Sequence, residues 1–173
     1  IVDPPDGRVP AMTADAQQRA AARTQARRAR GPADGPEDRA LNERQTAGLR
    51  TFVATGCAGC HNGINFGGAT LQKFGLVKDY WLETGSKKPD VGRFAMTKKE
   101  EDRYVFRVAM LRNVAKTAPY FHDGSVERLD RAVRIMGAVQ LGRTLDAAAV
   151  ASIVAFLESL TGDVPAHYAP PGR

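Results

Sequence analysis

At 173 residues, with 43% hydrophobic and 7% aromatic content, the chain has room for one compact domain plus an extended segment. Its formal charge of +6 admits an acidic protein partner, an anionic surface or nucleic acid. The basic runs are not interleaved with aromatics and no nucleic-acid motif stands out, so that class is set aside. No apolar run reaches the length of a membrane span: the longest, Val150–Leu157, is broken by Ser152 and fits a buried helix face.

Residues 1–10, acidic and Pro-rich, do not read as a signal peptide, and the sequence does not open on Met. A mature, processed or truncated product whose export signal has been removed is therefore expected. Residues 1–40 differ from the rest. Pro4, Pro5, Pro10, Pro32 and Pro36 punctuate them, and Asp15–Arg30 combines helix formers with five arginines (Arg19, Arg23, Arg27, Arg28, Arg30). A helix there would have no apolar face to bury, so the stretch reads as a solvated extension. The sharper reading is a docking arm for an acidic partner or for a larger membrane-associated complex. Gly31, Pro32, Gly35 and Pro36 mark the boundary with a domain over 41–165, and residues 166–173 read as a tail.

Within that domain Leu41, Ala47, Leu49, Phe52 and Val53 recur at helical spacing, predicting a helix over 41–55 stopped by Gly56. Residues 69–95 read as irregular loop, 102–108 as a short extended or turn segment, and 111–121, with Pro119, as ending in a loop. Ser125 is the expected cap of a helix through Leu129, Ala132, Val133 and Met136, ending near Gly137. A last helix over 146–161 carries the stripe Val150, Ile153, Val154, Phe156, Leu157 and Leu160. The fold class is all-α with long loops.

The chemistry lies in Cys57-Ala58-Gly59-Cys60-His61. Two thiols three residues apart match the two vinyl groups on one edge of a porphyrin. The imidazole that follows is then turned against the iron, its other nitrogen donating to a backbone carbonyl. Half a zinc site would need a second Cys/His pair, and the chain has no other cysteine. A redox dithiol would need a βαβ setting, for which there is no pattern. One covalent haem c is therefore expected. The helix before the motif and the last helix should cross, with Gly48 and Phe52 packed against Ile153, Phe156 and Leu157.

The sixth iron position separates an electron carrier, closed by a thioether, from a site open to small ligands. Met12, Met96, Met110, Met136, His122 and His167 are the candidates. Met12 lies outside the domain, Met110 sits in an apolar patch that packing explains, and Met96 precedes a polar run. Met136, directly before Gly137 where the chain can turn towards a haem face, is favoured.

From Gly48 to Gly162, about two thirds of the chain, the sequence resembles the C-terminal domain of bacterial di-haem cytochrome c peroxidases. The matching pieces are GLRTFVATGCAGCHNGINFGG, FGLVKDY, GRFAMTKKEEDRYVFRVAMLRNVAKTAPYFHDGSV, AVRIMGAVQLG and IVAFLESLTG. The resemblance implies a high-potential, electron-transferring haem with His61 and Met136 as axial pair. It implies Thr117 and Pro119 as carbonyl donors to an interdomain calcium, and a place near the haem for His122, whose expected role is a hydrogen bond that pins its loop. Residues 1–47 hold neither Cys nor His and resemble nothing of those peroxidases' first domain, which carries the peroxide-cleaving haem.

Three functions follow as expectations. The first is a monohaem c-type cytochrome passing single electrons between a donor and an acceptor protein. The second is the electron-delivery domain or subunit of a peroxidase-type enzyme whose other haem lies elsewhere. The third is a subunit of a larger respiratory or photosynthetic complex. Covalent haem attachment places all three in the periplasm or an equivalent exterior space.

Overall fold

A computed structural model describes residues 40–162. All but Ala40 belong to the unit spanning Leu41–Arg173. The Arg-rich arm with Met12, and the tail with His167, lie outside the described residues. No helix among the described residues is long and apolar enough to cross a membrane.

The domain is mostly helical, as the sequence pattern predicts, with one small sheet. Helix α1 spans Glu43–Thr55. Asn42 caps its first turn by accepting from the Gln45 N–H, and the Gln45 side chain accepts from the Asn42 N–H in return. Gly56, in the left-handed region at φ 106°, ends it. Helix α5 spans Ala147–Ser159, capped by the Asp146 carboxylate on the Ala149 N–H.

These two helices cross as expected. A Cβ on Gly48 would overlap the Ser152 carbonyl oxygen and stand 2.9 Å from Phe156 Cβ. That absence of side chain lets the Phe52 and Phe156 rings meet, with centroids 5.3 Å apart. Around them Val133, Val150, Ile153 and Leu157 complete the main core.

Residues 69–95, expected as irregular loop, are more ordered. Strand β1, Leu71–Lys73, pairs antiparallel with β2, Val105–Arg107, in the register Leu71↔Arg107, Gln72↔Phe106 and Lys73↔Val105. Short helices α2 (Tyr80–Thr84) and α3 (Phe94–Thr97) follow β1. Strands of three residues are too short to show the two-residue alternation by which a sequence announces them. What holds this layer is aromatic packing. Tyr80 is fully buried, stacks on Phe74 at 4.5 Å, and its hydroxyl both donates to the Asp90 carbonyl and accepts from the Asp90 N–H.

Helix α4 corrects two expectations. It runs Leu129–Leu141, so Met136 and Gly137 lie inside it, and its left-handed stop is Gly142. Gly137 serves packing instead of a turn: a Cβ there would stand 3.0 Å from Leu145 Cδ1 and 3.1 Å from the Arg143 carbonyl, which fold back over the helix. Ser125 is not the cap. Its Oγ is buried with no partner among the described residues, and the helix starts after Arg128, whose guanidinium pairs with Asp130.

Gly48→Ala should therefore lower stability by about 1–3 kcal/mol, the cost of overpacking a close helix contact. Gly59→Ala, where nothing lies within 4 Å of a new Cβ, should change it little. Thermal unfolding of both variants checks the contrast.

Candidate functional site

Between α1, α4, α5 and the small sheet lies a cavity of about 430 Å³, within the range of small-molecule and cofactor sites. Cys57, Cys60, His61, Met136, Thr117 and Pro119, singled out by sequence, all line it. Met110 and His122 line it as well. Met96 does not: it is 86% exposed, in α3.

The Cys-bearing segment is a single 3₁₀ turn, Cys57–Gly59, begun by the left-handed Gly56 that ends α1. The His61 N–H donates to the Cys57 carbonyl, closing the turn. Burial pushes the Cys57 thiol up, while a hydrogen bond within its own backbone and the charge of Arg143 pull the other way.

His61 is oriented from one side. Its Nδ1 lies 3.1 Å from the Ala109 carbonyl oxygen and 3.4 Å from that of Phe66. A carbonyl only accepts, so Nδ1 bears the proton and Nε2 keeps its lone pair. Burial holds the ring's pKa below the ordinary histidine value, against the opposing pull of the two carbonyls, so the imidazole is neutral. Gly67 makes this anchoring feasible, because a Cβ there would overlap the Ala109 carbonyl. The Gly68 N–H donates to the Val108 carbonyl and the Val108 N–H to Thr70, tying the two segments together.

Leu129, Ala132, Val133, Met136 and Gln140 repeat at three- and four-residue intervals along α4 and form its cavity-lining stripe. Met136 is thus offered from a helix face, not from a turn. His122 stacks on Phe106 at 4.3 Å and meets Tyr80 edge-on at 5.4 Å. Thr117 and Pro119 border the cavity at the start of the loop that carries His122. Among the described residues no group of three or more His, Cys, Asp or Glu could hold a metal ion.

Sequence reasoning expected a backbone carbonyl as partner of the His61 ring but did not name Ala109 or Phe66, and it missed the cations Lys73 and Arg107 in the wall, and Gln140. The Gln140 side chain accepts from the Gly75 N–H at 2.5 Å and donates to the Lys73 carbonyl at 3.1 Å. Backbone acceptors carry no residue signature, and these partners lie far apart in the chain.

A thiol pair on one turn, a neutral imidazole with a free Nε2, a thioether on the cavity-lining helix face and otherwise apolar walls fit a porphyrin carrying iron. They define the class: a c-type haem domain. No family model matches the chain. Sequence comparison finds the cytochrome c551 peroxidase of Pseudomonas aeruginosa, 53% identical over 132 residues, covering 75% of this chain and 37% of that protein. That of Nitrosomonas europaea is 48% identical, covering 73% and 36%, and the cytochrome c peroxidase Ccp of Escherichia coli is 44% identical, covering 73% and 27%. Among solved structures, a MauG-like protein associated with microbial copper homeostasis superposes with a TM-score of 0.62 at 25% identity, over 79% of this chain and 53% of that one. The chain belongs to the bacterial di-haem cytochrome c peroxidase family, matching the C-terminal part of its relatives. It spans little more than a third of the length of the first two relatives.

The buried neutral His61 has a consequence for pH. The unfolded chain takes up a proton near pH 6.5, whereas the folded, haem-free chain resists it to lower pH. Unfolding therefore binds protons in that window, and stability should fall as the pH drops below about 6.5 and level off above it. Urea titrations of the haem-free protein at several pH values should show this loss, and His61→Gln should remove it.

Proposed function

We propose that this chain is the electron-delivering haem domain of a di-haem peroxidase-type enzyme whose peroxide-cleaving haem lies elsewhere. The observation that carries the reading is the convergence of Cys57, Cys60, His61 and Met136 on one apolar cavity, in a chain whose relatives are named cytochrome c peroxidases. In this reading Cys57 and Cys60 would hold a haem c through thioethers, and His61 Nε2 and the Met136 sulfur would bind its iron. Once bound, the haem supplies a one-electron couple.

The protein's own residues do the rest. The Ala109 and Phe66 carbonyls fix the His61 ring and tautomer and raise the basicity of its free nitrogen. Phe52, Leu157 and Val133 exclude water from the cavity, which favours the less charged, reduced state. A donor protein on one side and the peroxide-cleaving centre on the other are the redox partners this implies. A calcium on the carbonyls of Thr117 and Pro119 would need donors from beyond the described residues. Haem attachment outside the cytoplasmic membrane makes the periplasm the place of action.

The second reading, a self-standing monohaem carrier, has in its favour that the sequence contains a single Cys-x-x-Cys-His. The family relationship favours the enzyme-domain reading over it. The mass of the native protein and its haem count separate the two.

Cys57→Ser and Cys60→Ser should each lose a thioether, read as haem extractable by acid or a shifted reduced spectrum, and the double variant should carry no covalent haem by mass spectrometry. Met136→Ala should abolish the long-wavelength sulfur-to-iron charge-transfer band and lower the reduction potential. Met110→Ala should preserve both. A band that vanished in Met110→Ala and survived in Met136→Ala would overturn the axial assignment.

A further inference from the structure

The segment that leaves the cysteine turn begins with the dipeptide Asn62-Gly63, whose two halves are held very differently. The Asn62 side chain closes the turn: its Nδ2 donates to the Gly59 carbonyl at 3.1 Å and to the Ala58 carbonyl at 3.4 Å. Among the described residues it is the donor that both carbonyls have, because the Cys60 and His61 N–H groups go to the Cys57 carbonyl instead. Gly63 is unrestrained. Its N–H donates to no acceptor among the described residues, its backbone lies at φ 73°, and a Cβ there would meet nothing within 4 Å.

Asn62 is itself exposed to water. A glycine after an asparagine has no side chain to shield the asparagine's amide carbon, and its permissive backbone lets its nitrogen swing onto that carbon. The Gly63 nitrogen, having given its proton to solvent base, bonds to Asn62 Cγ. The Cγ–Nδ2 bond breaks, and the amide nitrogen takes a proton back from solvent and leaves as ammonia. Water then opens the cyclic imide at one carbonyl or the other, giving aspartate or isoaspartate; the net change is water consumed and ammonia released. The remaining asparagines lack this combination. Asn42 precedes Glu43 and caps α1 through its Oδ1, Asn113 precedes Val114 and accepts from the Gly162 N–H, and Asn65 precedes Phe66.

We propose that Asn62 is a site of spontaneous deamidation, and that its conversion unclamps the end of the cysteine turn. An ionised carboxylate has no hydrogen to donate, so the Ala58 and Gly59 carbonyls lose their partner and face a negative charge. In the isoaspartate product the main chain after His61 is lengthened by a methylene, and the Asn62 carbonyl that accepts from the Gly67 N–H leaves the backbone. Gly67 is the residue whose missing side chain admits the Ala109 carbonyl to His61, so the change reaches the imidazole's anchor as well as the thiols. The site follows from the turn itself and stands whichever functional reading holds.

The test is to age the haem-loaded protein at mildly alkaline pH and follow every asparagine by peptide mass spectrometry, with enzymatic methylation of isoaspartate as a second readout. Asn62 should convert about tenfold faster than Asn65 in the same loop, and than Asn42 or Asn113, and both acidic products should form. Gly63→Ala should slow the conversion by about tenfold. If that variant fails to fold, the comparison among asparagines within the parent still decides. Asn62→Asp, which carries the product's carboxylate from the start, should speed hydrogen exchange at the Cys60 and His61 amides by about tenfold. An Asn62 still intact when Asn65 or Asn113 has converted, or conversion undiminished in Gly63→Ala, would overturn the site. Parent-like exchange in Asn62→Asp would overturn the clamp. Haem content is recorded first: a parent without covalent haem sinks the functional reading, whereas intact haem with an inert Asn62 sinks only this inference.

Discussion

The approach of α1 to α5 at Gly48 is the contact on which the rest of the site depends. With hydrogen in place of a side chain, the helix can lie against the Ser152 carbonyl, and Phe52 and Phe156 then close on each other one turn later. Phe52 is also the residue through which the core reaches the site: its ring centroid is 6.5 Å from that of His61, and α1 ends four residues after it at the glycine that launches the cysteine turn. Separating the helices by the width of a methyl group would move the motif relative to the wall it faces. The same contact thus sets both stability and the position of the two thiols.

The second requirement is met from far along the chain. The imidazole follows the second cysteine directly, but nothing within the motif fixes its rotation. The Ala109 carbonyl does, reached through the pairing of β1 with β2 and the bonds linking Gly68, Thr70 and Val108. The small sheet is therefore part of the site, since it carries the acceptor that selects the tautomer. Its own stability comes from the ring cluster around Tyr80, because three-residue strands contribute few ladder bonds.

This division explains what could be read from the sequence. Local signals survived: the Gly56 stop, the helical stripes on α1 and α5, and the thiol spacing each involve residues within a turn or two of one another. The Gly48–Phe156 contact was also legible, because two amphipathic helices flanking the motif leave few other ways to bury their stripes. What was lost was either long-range or backbone-mediated. The strands of residues 69–107 pair across three dozen residues, and nothing in the side chains marks which carbonyls anchor His61. Gly137 misled for a related reason: it was read as a stop, whereas a close approach by Leu145 requires it and a later glycine, Gly142, ends the helix. Met136 was chosen partly for the wrong reason, yet α4 places it on the cavity-lining face all the same.

The distribution of polarity in the cavity bears on the proposed electron-delivering role. Cleaving peroxide requires an iron with a free position and groups that can move a proton to the departing oxygen. Among the described residues, the titratable side chains on the wall besides the two thiols, two cations and a tyrosine are His61, whose proton is held by carbonyls, and His122, packed flat on Phe106. Among the described residues no carboxylate lines the wall to act as acid or base, and a thioether occupies the α4 stripe. Such a lining suits a redox centre whose surroundings change little between oxidation states. That is the property the proposed electron-delivering role requires.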